Sequence, residues 1–152
     1  MIESGKPVLQ RPVEILLVED NPADVALTEE ALQDSKMLNH LTVVKDGVEA
    51  MEYLHREGKY QSAPRPDLIL LDLNLPRKTG REVLEEIRAD PNLTFIPVVI
   101  MTVSKDEKDI YETYRLHANC YITKPVRFEE FMEIVKSIEN FWFEIVMLPQ
   151  KK

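Results

Sequence analysis

The sequence predicts an α/β protein, a doubly wound five-stranded parallel sheet with flanking helices. Five short apolar runs are hydrophobic at nearly every position, as expected of strands covered on both faces. Each run is followed by a stretch with helical spacing of its apolar residues. Strand and helix alternate along the chain, a rhythm that parallel crossovers satisfy and antiparallel hairpins do not.

The elements follow in order. Val13–Val18 is the first strand, and Asn21-Pro22 supplies a cap and an N-terminal proline for a helix running to about Asp34. Leu41–Val44 is the second strand and Gly47 to Arg56 the second helix. Gly58 to Pro66 is a loop by its glycine and prolines. Leu68–Leu71 is the third strand, apolar at all its positions, and Gly80–Arg88 the third helix, ended by Asp90-Pro91-Asn92. Val98–Met101 and Asp106–Leu116 are the fourth strand and helix, and Cys120–Thr123 the fifth strand. From Phe128 onward, Phe131, Val135, Ile138 and Trp142 mark a final helix. A single domain over 13–142 is expected, with an N-terminal arm over 1–12 and a C-terminal tail over 143–152.

Composition narrows the function classes. The 152-residue chain carries a net charge of −8, which disfavours phosphate backbones and anionic membranes, so neither nucleic acid nor membrane is expected as a partner. Its single cysteine, Cys120, lies in an apolar stretch and reads as a buried structural thiol in a reducing compartment. Residues Met1 to Pro12 have no signal-peptide pattern, and no run approaches a membrane span, so a cytoplasmic protein is expected.

In doubly wound folds, ligands bind beyond the carboxyl ends of the strands. Glu19 and Asp20 follow strand one, Asp72 follows strand three, Thr102 ends strand four, and Lys124-Pro125 follows strand five. Each has an ordinary reading alone: Asp20 or Thr102 as helix caps, Asp72 as a turn former, Lys124 as a solvated lysine. Together they do not. Clustered carboxylates repel one another unless a cation lies among them, and oxygen ligands with open positions suit Mg²⁺. A carboxylate, a divalent cation, an ammonium and a hydroxyl are also the parts that phosphoryl transfer requires. The three histidines, His40, His55 and His117, form no ligand motif, and none of the four glycines falls in a phosphate-loop pattern.

With those residues in place, the chain resembles the receiver domain of two-component response regulators from about Val13 to Trp142. The matching stretches are Leu17-Val18-Glu19-Asp20-Asn21, Asp72-Leu73-Asn74-Leu75-Pro76 with Gly80 beyond, Met101-Thr102, and Tyr121-Ile122-Thr123-Lys124-Pro125. Arg65-Pro66, Leu116-His117-Ala118-Asn119-Cys120-Tyr121 and Phe141-Trp142-Phe143 further resemble the stand-alone regulators of cyanobacterial-type phytochromes. The resemblance implies a flavodoxin-like receiver fold and a non-enzyme that catalyses only its own phosphorylation and dephosphorylation. It implies Asp72 as phosphoacceptor from a sensor histidine kinase, such as a phytochrome. Mg²⁺ would be held by Glu19, Asp20, Asp72 and the carbonyl of Asn74. Lys124 would pair with a phosphoryl oxygen, Thr102 and Tyr121 would act as the switch, and Pro125 would follow a cis peptide bond. With little chain beyond Phe141 and no room for an output domain, output is expected through protein–protein contact or phosphorelay through the receiver itself.

Three positions depart from the family pattern. Glu19 replaces the commoner aspartate. Val103 stands where a small residue is usual, and is expected either to narrow water's access to the acceptor or merely to pack. Lys78 replaces an apolar residue, so its loop is expected to present charge to a partner. Two rival functions are weaker. A haloacid-dehalogenase-type phosphatase needs an aspartate where Asn74 stands, and a flavodoxin-like cofactor carrier needs a Ser/Thr/Gly-rich phosphate loop where Glu19-Asp20-Asn21-Pro22 stands. Finally, Tyr111 and Tyr114 share one side of the fourth helix, Tyr121 lies on the adjacent strand, and Phe141, Trp142 and Phe143 exceed what one helical face can bury. This apolar surplus is expected to form a homodimer or docking surface.

Overall fold

The computed structural model describes residues 12–35, 38–103, 106–124 and 127–140. Five parallel strands, β1 (Val13–Val18), β2 (Asn39–Val44), β3 (Leu68–Leu71), β4 (Val98–Thr102) and β5 (Cys120–Thr123), lie in the order β2-β1-β3-β4-β5. The helices are α1 (Pro22–Gln33), α2 (Gly47–Leu54), α3 (Gly80–Ala89), α4 (Glu107–Arg115) and α5 (Phe128–Asn140). The predicted fold class and all ten elements are present. Two differences are instructive. β2 begins at Asn39, because its register with β1 continues through Asn39 and His40 although both are polar; an edge strand needs no second apolar neighbour there. Gly58–Tyr60, inside the predicted loop, forms a single 3₁₀ turn.

Alternation along the strands divides the core in two. Leu16, Val18, Ile69, Leu71, Val98 and Ile100 face α2 and α3, packing on Met51, Leu54, Val83, Leu84 and Ile87. Val13, Ile15, Leu17, Leu68, Leu70, Val99 and Met101 face the opposite layer with Ala31, Leu32 and Phe131. Cys120 belongs to this second layer but is only partly buried, because β5 is the other edge strand. Truncating a fully buried residue such as Leu16 to alanine is expected to cost about 2–5 kcal/mol.

Helix starts are set by local chemistry. Asn21 caps α1 by accepting from the backbone N–H groups of Ala23 (2.9 Å) and Asp24 (3.2 Å), with Pro22 at the first helical position. Thr79 and Glu82 form a reciprocal capping box at α3, and Asp46 and Asp106 cap α2 and α4. Each cap follows the carboxyl end of a strand, so the helix starts gather at one edge of the sheet.

Candidate functional site

Strand order reverses between β1 and β3, and the site lies there. Val18 pairs with Leu71, so the next residues, Glu19 and Asp72, emerge side by side. Backbone bonds fix both exits: Glu19 N–H donates to Val44 O (3.0 Å) and Asp72 N–H to Val18 O (3.1 Å). Across the sheet Thr102 pairs with Thr123, and Lys124 N–H donates to Thr102 O (2.7 Å), which brings the lysine to the same edge.

Glu19, Asp20 and Asp72 each offer a carboxylate oxygen within 4.8 Å of the others. Glu19 and Asp72 are buried, whereas Asp20 is exposed and leaves one side open to solvent. Lys124, itself buried, donates to Glu19 Oε1 (2.6 Å), Asp24 Oδ2 (2.8 Å) and Asp72 Oδ2 (3.2 Å). The second Asp72 oxygen, Oδ1, accepts from Asn74 N–H (3.1 Å). Burial, reinforced by the charge of Asp72, pushes Glu19 up to about 7 against the lowering effect of Lys124 and the Asn21 N–H. Burial alone would lower the Lys124 pKa, but its hydrogen bonds to Asp24 and Glu19 and the charges of Asp72 and Glu19 leave it above the ordinary lysine value. One ammonium therefore faces more negative charge than it can balance. Three converging carboxylates with an open side are a donor set that fits a hard divalent cation.

The remaining predicted residues fall as follows. Thr102 is fully buried, and its Oγ1 accepts from Asn74 Nδ2 (3.1 Å). The side chain of Asn74 thus couples the loop after Asp72 to Thr102, a link beyond the carbonyl role that the resemblance implies. Tyr121 is half-buried, its ring centroid 6.5 Å from that of Tyr114. Tyr111 and Tyr114 are 66% and 47% exposed, as a docking surface requires. Pro125, Phe141, Trp142 and Phe143 lie outside the described residues, as do the tail and all of the arm but Pro12; Lys124 marks the start of the predicted cis bond. Val103 is 61% exposed, which removes the reading that it merely packs. Lys78 is partly exposed and its ammonium pairs with Glu86 of α3, so the charge of its loop is shared with a neighbouring carboxylate.

Two residues were missed. Asp24 reads in sequence as an ordinary acid in a first helical turn, and nothing in its spacing announces Lys124, a hundred positions away. Gly80 was noted only as part of the motif. A side chain there would collide with the carbonyl oxygen of Asp72 and the Cα of Leu73, so α3 can press on the loop after β3 only through a glycine. Gly47 meets the carbonyl of Lys78 in the same way, closing the loop from the side of α2. Between them Arg77 adopts φ 71° under a Pro76 O to Lys78 N–H bond of 2.8 Å, a tight turn that closes the loop.

Comparison with known proteins agrees with this geometry. The profile described as response regulator receiver domain matches residues 15–136. Response regulator Rcp1 of Synechocystis sp. is 49% identical over 138 residues, spanning 91% of this chain and 94% of that protein. The crystal structure of the phosphorylated cyanobacterial phytochrome response regulator RcpA superposes with a TM-score of 0.83 at 53% identity, covering 92% of this chain and all of that one. The Mn²⁺-bound form of Rcp1 gives 0.82 at 49% identity, covering 91% of this chain and all of that one, so a close relative binds a divalent metal. By a profile over most of its length, by identity to these relatives and by shared fold, the chain belongs to the response regulator receiver domains.

Proposed function

We propose that Asp72 accepts a phosphoryl group from a phosphohistidine of a sensor histidine kinase and that this switches a protein-docking surface. The observation that carries it is the pairing at Asp72: Lys124 holds one carboxylate oxygen and the Asn74 N–H the other, with Glu19 and Asp20 within reach. A bond forms between a carboxylate oxygen of Asp72 and phosphorus as the phosphorus–nitrogen bond breaks, and the donor histidine, protonated on its other ring nitrogen, leaves as neutral imidazole. Glu19, Asp20, Asp72 and the Asn74 carbonyl would hold Mg²⁺, which neutralises phosphoryl oxygens when bound. Lys124 supplies a second positive charge to the same oxygens. Thr102 then turns to the phosphoryl group, exchanging its hydrogen bond with Asn74, and Tyr121 follows inward. The protein catalyses only its own phosphorylation and dephosphorylation.

The phytochrome relatives support a phytochrome-linked kinase as donor. The receiver comprises 13–142, between an arm (1–12) and a tail (143–152), in a cytoplasmic protein; no described helix is long and apolar enough to cross a membrane. Exposed Tyr111 and Tyr114, with Tyr121 behind them, support a homodimer or docking surface extended by Phe141, Trp142 and Phe143.

The test is phosphotransfer from a phosphorylated kinase, or from acetyl phosphate, followed by intact mass. One phosphoryl adduct is expected with Mg²⁺, and none in chelator or in Asp72→Asn. An adduct that persists in Asp72→Asn would overturn the assignment.

A further inference from the structure

We propose that Asp24 is a positioning residue, a latch that holds the Lys124 ammonium in the unphosphorylated protein and competes with the phosphoryl group for it. The inference rests on the roles of Asp72 and Lys124 proposed above.

An ammonium has three N–H donors. Those of Lys124 are matched by three carboxylate acceptors, at 2.6, 2.8 and 3.2 Å. An arriving phosphoryl oxygen must therefore displace one of them. Glu19 and Asp72 belong to the trio suited to a cation; Asp24 does not. The Asp24 side chain is also the wettest of the three, 29% exposed against 2% for Glu19 and 7% for Asp72, so water can solvate it once it lets go.

The position of Asp24 is built. Its N–H donates to the Asn21 cap, and its carbonyl accepts from Thr28 Oγ1 (2.9 Å), a buried hydroxyl. Asn21 does the capping, which leaves the Asp24 carboxylate to face Lys124 rather than the helix end.

Charge gives the proposal a signature that a structural role lacks. Asp24 adds negative charge beside a place that must accept first a cation and then an anion. Removing that charge weakens cation binding and strengthens anion binding. Loss of a merely structural contact would weaken both.

The experiment uses the full chain and amide NMR titrations, first with Mg²⁺ alone and then with beryllofluoride, a phosphoryl mimic, at saturating Mg²⁺. In Asp24→Asn the Kd for Mg²⁺ should rise and that for beryllofluoride should fall, each about fivefold for one partly hydrated charge. Asp24→Ser should shift both constants in the same directions, and Asp24→Glu should restore both towards wild type. Two constants that move together, or neither moving in either neutral variant, overturn the latch. Asp72→Asn separates this failure from a deeper one: beryllofluoride that binds Asp72→Asn as well as wild type removes the role of Asp72 itself, and the latch with it.

Discussion

Each end of the sheet holds a cation that ties distant parts of the chain together, and the two are held differently. At the carboxyl edge, Lys124 lies among Glu19, Asp24 and Asp72. At the amino edge, Arg88 reaches from the last turn of α3 to backbone carbonyls. It donates to Leu116 O (3.2 Å), Thr94 O (2.8 Å), Ile96 O (2.9 Å) and His117 O (2.8 Å), with Asn119 Oδ1 at 3.5 Å. Its acceptors are neutral and geometrically fixed, and Asn119 Oδ1 also accepts from Val98 N–H (2.8 Å), which ties it to the start of β4. Those of Lys124 are charged, and under the proposed function each would have an alternative partner in a metal ion, a phosphoryl group or water. Burial lowers the pKa of Arg88, whereas the carboxylates raise that of Lys124. One end is joined so that it stays; the other so that it can be rearranged.

The contrast breaks most sharply at Lys124. Replacing it with methionine leaves buried carboxylates without their cation and should cost about 3 kcal/mol in chelator. Mg²⁺ should restore at least half of the loss, because binding to the folded state alone stabilises it. Urea unfolding with and without Mg²⁺ measures both, and a loss unaffected by Mg²⁺ would show that the lysine is a fixed strut. Arg88→Met should cost less, about 2 kcal/mol for several hydrogen bonds to part-buried carbonyls, and Mg²⁺ should not mend it. The folded variant should still accept a phosphoryl group at Asp72, which intact mass would show.

A smaller effect sharpens the comparison through pH. Glu19 is raised from 4.5 to about 7, so across that window the folded chain keeps a proton that the unfolded chain gives up. In chelator, stability should therefore be greatest below the window and fall as pH rises through it, by about 1–2 kcal/mol. Glu19→Gln should flatten the slope. Urea midpoints taken across this range check the sign, and a rise with pH would contradict it.

These two ends were not equally legible in the sequence. Asp72, Lys124, Thr102 and Glu19 could be found because strand ends are visible as ends of apolar runs, and the doubly wound rule sends every such end to one edge. Arg88 could not. In Glu86-Ile87-Arg88-Ala89 it looks like the solvated cation expected in a last helical turn, and its acceptors are backbone carbonyls, which every residue possesses. Asp24 was hidden by the same logic at the opposite helix end. Lys78 shows the converse: its unusual charge stands out in the sequence, but its pairing with Glu86, eight residues on, does not. Sequence patterns report which face a residue occupies. They carry little about which long side chain finds which acceptor.

The two glycines beside the Asp72 loop have a bearing on how such a chain can drift. Gly47 and Gly80 open α2 and α3, and each lies directly against backbone of the segment that follows β3. Neither carries a functional group, yet neither has room for even a methyl. In a deep mutational scan they would stand out as intolerant alongside Asp72, and a survey that equates intolerance with chemistry would mistake them for reacting residues. The surface after β4, where Val103 is exposed, faces no such restriction. Change in this molecule is thus channelled to the rim of the site, while the loop that carries Asp72 is held in shape by two places where nothing can be added.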